Sequence, residues 1–309
     1  IHIQRELLAS AVPDDPLLAP FLAGYFPAPL AARFPEAVRA HPLRREIIAT
    51  TVANAVVDTL GATFVYRVTR DTGATVAEVV RAWAVAWAVA GGAELVAAVA
   101  ASARGADVEA SCQLVLERTA ERVTKWILAN TDPARPAAEV VAELAPAVAR
   151  VRGRLAEWIA GAEAEAFQRV VAELEMAGLP GALAHDLASA GWLTGALDAV
   201  TVAGEADVDA ETAAACYYGL GQQLDFAWLW SRLDEAGAED RWQRRAVEGL
   251  VDDLLRARRQ LTSVVLWETG SALPVRPLVA VQELVRDLRT APRASLPALT
   301  VVVRAIRRL

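Results

Sequence analysis

The sequence predicts an all-α fold: a multi-helix, orthogonal or bundle-like domain around a central apolar helix at about residues 43–60, with no substantial sheet. Three observations carry this. Apolar residues recur with the 3.6-residue helical period along most of the chain. Alanine, the best helix former, is abundant, while aromatic residues make up only 6%. The 15 prolines and 18 glycines fall mostly between periodic segments, where helix punctuation belongs.

Taken in order, VPDDP (12–16) and FPAPL (26–30) form an irregular opening with short helical turns. HPLRREIIATTVANAVVDTL (41–60) then reads as one helix, started by Pro35 or by Pro42 and closed by Gly61. At 100° per residue, Ile48, Val52 and Val56 cover one side and Ala49, Ala53 and Leu60 another. Asn54 and Asp58 share a side with Leu43 and Ile47. A helix apolar on several sides belongs at the centre of its neighbours. The Asn54/Asp58 pair is therefore expected to be buried and bonded to a neighbouring helix or loop, as a structural pin.

TFVYRVT (63–69) is rich in β-branched and aromatic residues, but no second strand pattern exists to pair with it, so a helix to Thr72 is preferred. Thr75 and Glu78 form a capping box for the next helix, which carries Trp83 and Trp87 on one face. AWAVAWAVAGGAELVAAVAASA (82–103) is long enough to cross a bilayer, yet Gly91-Gly92 divides it and Glu94 would be costly near the centre of a bilayer. Two buried helices joined at the glycines are expected instead.

Residues 108–130 are amphipathic. Asp132-Pro133 is expected to open helices through about Met176, and GLPG (178–181) is a turn. Helices follow at 182–190, 192–202, 208–223, 225–234 and 240–266. The last has an apolar stripe through Trp242, Ala246, Leu250, Leu254, Leu261 and Val265. SALPVRP (271–277) reads as a loop, and RAIRRL (304–309) as the end of a short surface helix. The whole of 1–309 reads as one helical region, which allows a division into two lobes, 1–130 and 131–309. The start at Ile1 rather than Met suggests a piece of something longer.

The search for chemistry finds little. The formal net charge of −7 argues against a nucleic-acid binder. Two isolated cysteines, Cys112 and Cys216, suggest a reducing, cytoplasmic setting. GLGQQL (219–224) lacks the third glycine and the preceding strand of a dinucleotide loop. His2, His41 and His185 are scattered, and no metal-ligand spacing appears. The carboxylate pairs Asp14/Asp15, Glu163/Glu165 and Asp252/Asp253 read as a turn and two charged helix faces. Lys125 is the single lysine and sits mid-helix, a poor setting for a catalytic base. No catalytic, cofactor-binding or metal-binding residue is assigned. Trp83, Trp87 and Trp242 read as core. Trp228 and Trp230 cannot share one helix face, so one of them is a candidate interface contact.

HPLRREIIATTVANAVVDTLGATFVYRVTRDTGATVAEVVRAW resembles the region after the catalytic domain of the large bacterial NAD-specific glutamate dehydrogenases. YGLGQQLDFAWLWSRLDEAGAEDRWQRRAVEGLVDDLLRARRQLTSVVL is similar to the family's late segment. The resemblance is specific at 14–83 and 216–266 and loose between. It implies a longer parent chain with ACT-like modules, then a Rossmann-type NAD domain oxidising L-glutamate to 2-oxoglutarate and ammonium, then this helical region. The implied catalytic lysines and NAD loop map onto no residue here. The expected role is therefore a non-catalytic domain, binding no cofactor itself. It would scaffold the catalytic part of the same polypeptide or contact other subunits of a homo-oligomer, with neither nucleic acid nor membrane as partner. The alternative is a regulatory domain holding a small effector between helices.

Overall fold

The computed structural model describes residues 2–102, 105–236, 240–269, 275–291 and 294–308. Among these, every regular element is helical, so the all-α expectation holds. The chain forms two compact units: Ile1–Val148 with Val170–Thr194, and Ala149–Arg169 with Gly195–Leu309. This division differs from a single cut near residue 130, because the chain passes between the units three times.

The first unit begins with α1 (His2–Leu8), two 3₁₀ turns, α2 (Ala19–Tyr25), α3 (Ala28–Arg33), α4 (Pro35–Arg39) and α5 (Arg44–Leu60). Pro35 opens its own short helix, and α5 starts beyond Pro42. Its first two arginines tie it to the turn before it. Arg44 and Arg45 both pair with Asp14, and Arg45 also donates to the carbonyls of Leu8 and Ser10 at 3.1 and 2.9 Å. These arginine contacts satisfy carbonyls that the end of α1 leaves open.

Ile47, Ile48, Val52 and Val56 of α5 are buried against α1 and α2. Leu43, Glu46, Thr50, Asn54 and Asp58 are exposed and form one stripe at helical spacing. The expectation that Asn54 and Asp58 are buried is thus corrected: α5 is amphipathic, and the pair lies on its outer face. Alanine and threonine at neighbouring positions made that face look apolar.

Next come α6 (Phe64–Thr72), α7 (Val76–Ala90), α8 (Gly92–Ser102) and α9 (Ala106–Asn130). TFVYRVT is helical as expected, and Gly73 ends α6 in the left-handed conformation at φ 76°. The capping box forms: Thr75 Oγ1 accepts the Glu78 N–H at 3.2 Å, and the Glu78 carboxylate accepts the Thr75 N–H at 2.7 Å. The Thr75 N–H and, at 2.9 Å, the Thr75 hydroxyl both donate to that carboxylate and hold it below its usual range.

Gly91, at φ 66°, breaks the apolar run, and α7 and α8 bend by 60° there. Gly92 lets the chain turn against the Trp87 ring, which stacks on buried Trp83 at 6.1 Å. Among the described residues no single helix is long and apolar enough to cross a membrane. α7 packs along α9 in the centre of the unit.

Asp132 does not open a helix directly. Its carboxylate accepts the Ala134 N–H at 2.8 Å in a turn. α10 (Ala137–Gly153) starts beyond Pro136, followed by α11 (Leu155–Trp158), α12 (Gly161–Met176) and α13 (Gly181–Ala190). Leu174, Leu183 and Leu187 close a smaller core with Leu95, Val99, Cys112 and Leu116.

The second unit contains α14 (Leu193–Ala206), α15 (Ala210–Gln223), α16 (Phe226–Ala236), α17 (Arg241–Thr269), α18 (Val275–Thr290) and α19 (Leu296–Ile306). Of the loop expected at 271–277, residues 271–274 lie outside the described residues, and α18 has begun by 275. The α17 stripe holds from Leu250 onward through Leu254, Ala257, Leu261 and Val265. It does not include Trp242, which is 66% exposed, because the first two turns of the helix run past the core that buries the rest. RAIRRL is more than a surface end: Ile306 is fully buried beside Leu299, Val302 and Val303.

A Cβ at position 92 would stand 2.3 Å from a ring carbon of Trp87, with no flexible chain to move aside. Gly92→Ala should therefore lower stability by about 1–3 kcal/mol, the range for overpacking. Urea unfolding measures it, and an unchanged midpoint would show that α8 can shift away freely.

Candidate functional site

The most constrained cluster lies in the second unit, around a residue that sequence reading passed over. Arg258, on α17, is 1% exposed. Burying a guanidinium costs several kcal/mol unless it is paired and its donors are used. Its Nη1 donates to Glu163 Oε1 at 3.0 Å, and its Nε donates to the Tyr217 carbonyl at 3.0 Å. The cation lies 4.2 Å from the Tyr217 ring centre and within 5.5 Å of those of Tyr218, Phe226 and Trp230. Each π face adds attraction to a desolvated cation. Burial alone would lower the Arg258 pKa, but Tyr217, Glu163 and Tyr218 outweigh it, and the group is held above its usual value.

Glu163, on α12, is itself only 4% exposed, so the reading of Glu163/Glu165 as a charged helix face is corrected. Only a partner 95 residues away explains a carboxylate there. Gly221 provides the space: a Cβ on it would fall 2.0 Å from Arg258 Nη2. The second glycine of GLGQQL is therefore a packing position inside α15. No strand precedes it and the guanidinium fills the room beside it, so the run does not fit a nicotinamide dinucleotide. Around the cation the network continues. The Tyr217 hydroxyl donates to buried Asp198 at 3.2 Å, and Tyr218 stacks on Trp158 at 6.4 Å.

Trp230, one of the two candidate interface residues, is half-buried as a wall of this cage. Trp228 is half-buried too, on another side of α16, beneath Arg289 at 5.3 Å. Both pack against the core of the second unit. Asn54 and Asp58 are not part of any such cluster: the Asp58 backbone carbonyl accepts from Gln113, and its side chain faces outward.

Other chemistry-bearing groups stay apart. Lys125 is exposed and ion-paired with Glu121 at 2.8 Å. Both cysteines are free; burial raises the Cys112 thiol and pushes the Cys216 thiol from 9.0 up to about 11. Among the described residues no three His, Cys, Asp or Glu side chains converge as metal ligands. An open groove of about 590 Å³ on the second unit is walled by Arg256, Arg259 and Arg307. Their charges are already met, Arg259 by Glu205 at 2.8 Å and the other two by Asp253 at 3.0 and 3.1 Å.

These features describe an all-helical chain with packed cores and, among the described residues, one buried ion pair. A family model described as "Glutamate dehydrogenase, C-terminal" matches residues 1–308, and the chain belongs to that family. The chain is 32% identical over 277 residues to the NAD-specific glutamate dehydrogenase of Halomonas elongata, across 87% of this chain and 17% of that protein. It is 28% identical over 324 aligned positions to the Mycobacterium tuberculosis NAD-specific glutamate dehydrogenase, across 100% of this chain and 20% of that protein. The corresponding protein of Pseudomonas aeruginosa is 31% identical over 268 residues, 86% of this chain and 16% of its own length. The chain thus spans a fifth or less of the curated relatives it matches.

Two predictions follow from the Arg258 cage. Glu163→Ala leaves a buried cation without its carboxylate and should cost about 3–5 kcal/mol in urea unfolding. Glu163→Leu combined with Arg258→Met should recover most of that loss, and equal losses in both variants would deny the pairing its role. The second concerns alkaline pH. Burial raises the phenols of Tyr217 and Tyr218 above their ordinary value of 10.0, with Asp198 adding to the rise at Tyr217. The folded state then keeps protons that the unfolded chain releases, so this stability is complete below the unfolded values and lost as pH rises through the folded ones. Cys216 acts in the same direction between 9.0 and about 11. Melting temperature should hold from neutral pH to about 9 and then fall, and Tyr217→Phe should flatten the fall.

Proposed function

We propose that this chain is a non-catalytic C-terminal domain of an NAD-dependent glutamate dehydrogenase, packing against the catalytic part of the same polypeptide and steadying it. The parent reaction would be L-glutamate, NAD and water to 2-oxoglutarate, ammonium and NADH. The observation that carries the reading is what the glycine-rich run does here. Gly221 accommodates Arg258, so the one phosphate-loop candidate in the sequence is committed to packing. Lys125, the single lysine, is likewise held on the surface in an ion pair with Glu121, outside any enclosed site in which a base would act.

A domain of this kind contributes through surface and rigidity. Its helices bury the apolar faces that would otherwise aggregate, and its outer faces remain for the rest of the enzyme and for subunit contacts in an oligomer. The two free thiols, both shifted away from reactivity, suit a reducing cytoplasm. The purified 309-residue chain, assayed with glutamate and NAD, should show no NADH formation above the enzyme-free rate. Turnover that survives repurification and responds to substitutions in this chain would reverse the reading.

A further inference from the structure

Four large apolar side chains stand exposed within one short stretch of the first unit. Tyr25, Leu30, Phe34 and Leu43 are each between 43% and 59% exposed. Single exposed apolar residues are ordinary, but a contiguous group marks a contact surface. These four fall in two pairs on or beside short elements that touch in turn, α2 with α3 and α3 with α4. The Tyr25 ring lies 5.3 Å from the Phe26 ring, Phe26 lies 5.5 Å from the His41 ring, and His41 Nδ1 accepts the Leu43 N–H at 3.2 Å. Leu30 and Phe34 are one turn apart, joined by the bond from the Phe34 N–H to the Leu30 carbonyl at 3.0 Å.

The helix that carries Leu30 is unusual. α3 is APLAAR, and it buries none of its residues. Helices in globular proteins take their stability from an apolar face laid against something else. α3 touches α2 and α4 but buries no residue fully against them, so its apolar side chains are left open. From Leu43 the exposed stripe continues along α5 through Asn54 and Asp58. The surface therefore has an apolar end and a polar flank, the composition of an interface core and its rim.

What covers it follows from length. The chain matches a family model described as C-terminal and spans a fifth or less of its relatives, so most of each relative lies outside the matched region. We propose that the ridge of Tyr25, Leu30, Phe34 and Leu43, flanked by Asn54 and Asp58, is the face that docks on the catalytic part of the same polypeptide. This rests on the scaffolding role proposed above and specifies where it is exerted. It also gives the polar pair a place: hydrogen-bonding groups at the edge of that contact, free of any role inside this domain's core.

The test is site-specific photo-crosslinking in the full-length dehydrogenase, with a benzophenone amino acid at position 34. Isotopically light and heavy copies are mixed, so that links within and between polypeptides are distinguished by mass. A second probe at Trp267, 69% exposed on the other unit, serves for comparison. The expected result is a link from position 34 to peptides of the catalytic part within one polypeptide. Links from position 34 to a second copy, or none at all, overturn the proposal. If position 34 fails while position 267 reaches the catalytic part, the scaffolding reading stands and this face is wrong. If neither position reaches it, the scaffolding reading falls as well.

Discussion

One guanidinium organises the second unit. Arg258 has almost no contact with water, and a cation in that position is tolerable only with a carboxylate, with its donors used and with polarisable walls. Each requirement fixes a residue on a different helix. Glu163 on α12 supplies the opposite charge, Tyr217 on α15 supplies a carbonyl, and Phe226 and Trp230 on α16 supply faces. Apolar packing alone tolerates many near-equivalent arrangements of helices. A buried ion pair does not, because a shift of an ångström or two leaves a charge unmet.

The first unit solves the same problem differently. Its centre is apolar, and its polar fixings lie at the margins. Arg44 and Arg45 bind Asp14 and the end of α1, and Thr75 with Glu78 closes the start of α7. These partly exposed bonds cost little to form and set where helices begin. The position of α5 within the core is set by Ile48, Val52 and Val56, whose burial needs no matching charge elsewhere. That arrangement leaves the outer face of α5, with Asn54 and Asp58, unused by the fold itself.

What was legible in the sequence was local. Helical period, the Thr75/Glu78 box and the breaks at Gly61, Gly73 and Gly91 all depend on residues within a few positions of one another, and all appear in the structure. The cage was not legible, because Glu163 and Arg258 are 95 residues apart and each looks like an ordinary charge on its own helix. The signal that could have found it is Gly221 in the last turns of α15, a glycine inside a helix that follows Tyr217 and Tyr218 and precedes Phe226. Helix faces rich in alanine and threonine were the other failure. Such residues are at home on either side of a helix, so α5 read as apolar all round when its stripe of Leu43, Glu46, Thr50, Asn54 and Asp58 faces out. Trp242 misled for a related reason: its spacing matches the α17 stripe, but the core ends a turn or two before it reaches that residue.

Gly221 joins these threads. A glycine inside a helix costs about 0.5–1 kcal/mol relative to alanine, so its presence needs a reason. A phosphate loop is one such reason, since the backbone must approach the ligand closely. Here the same absence of a side chain admits a guanidinium instead, at a spot where a Cβ would overlap Arg258. Both uses place a positive or negative group against bare backbone, and sequence alone separates them only by what comes before. In GLGQQL the preceding residues are helical, the run ends as α15 does, and the group beside it belongs to the protein. The glycine that most resembles a cofactor site is thus a packing position, and it directs the search for function to the outer faces.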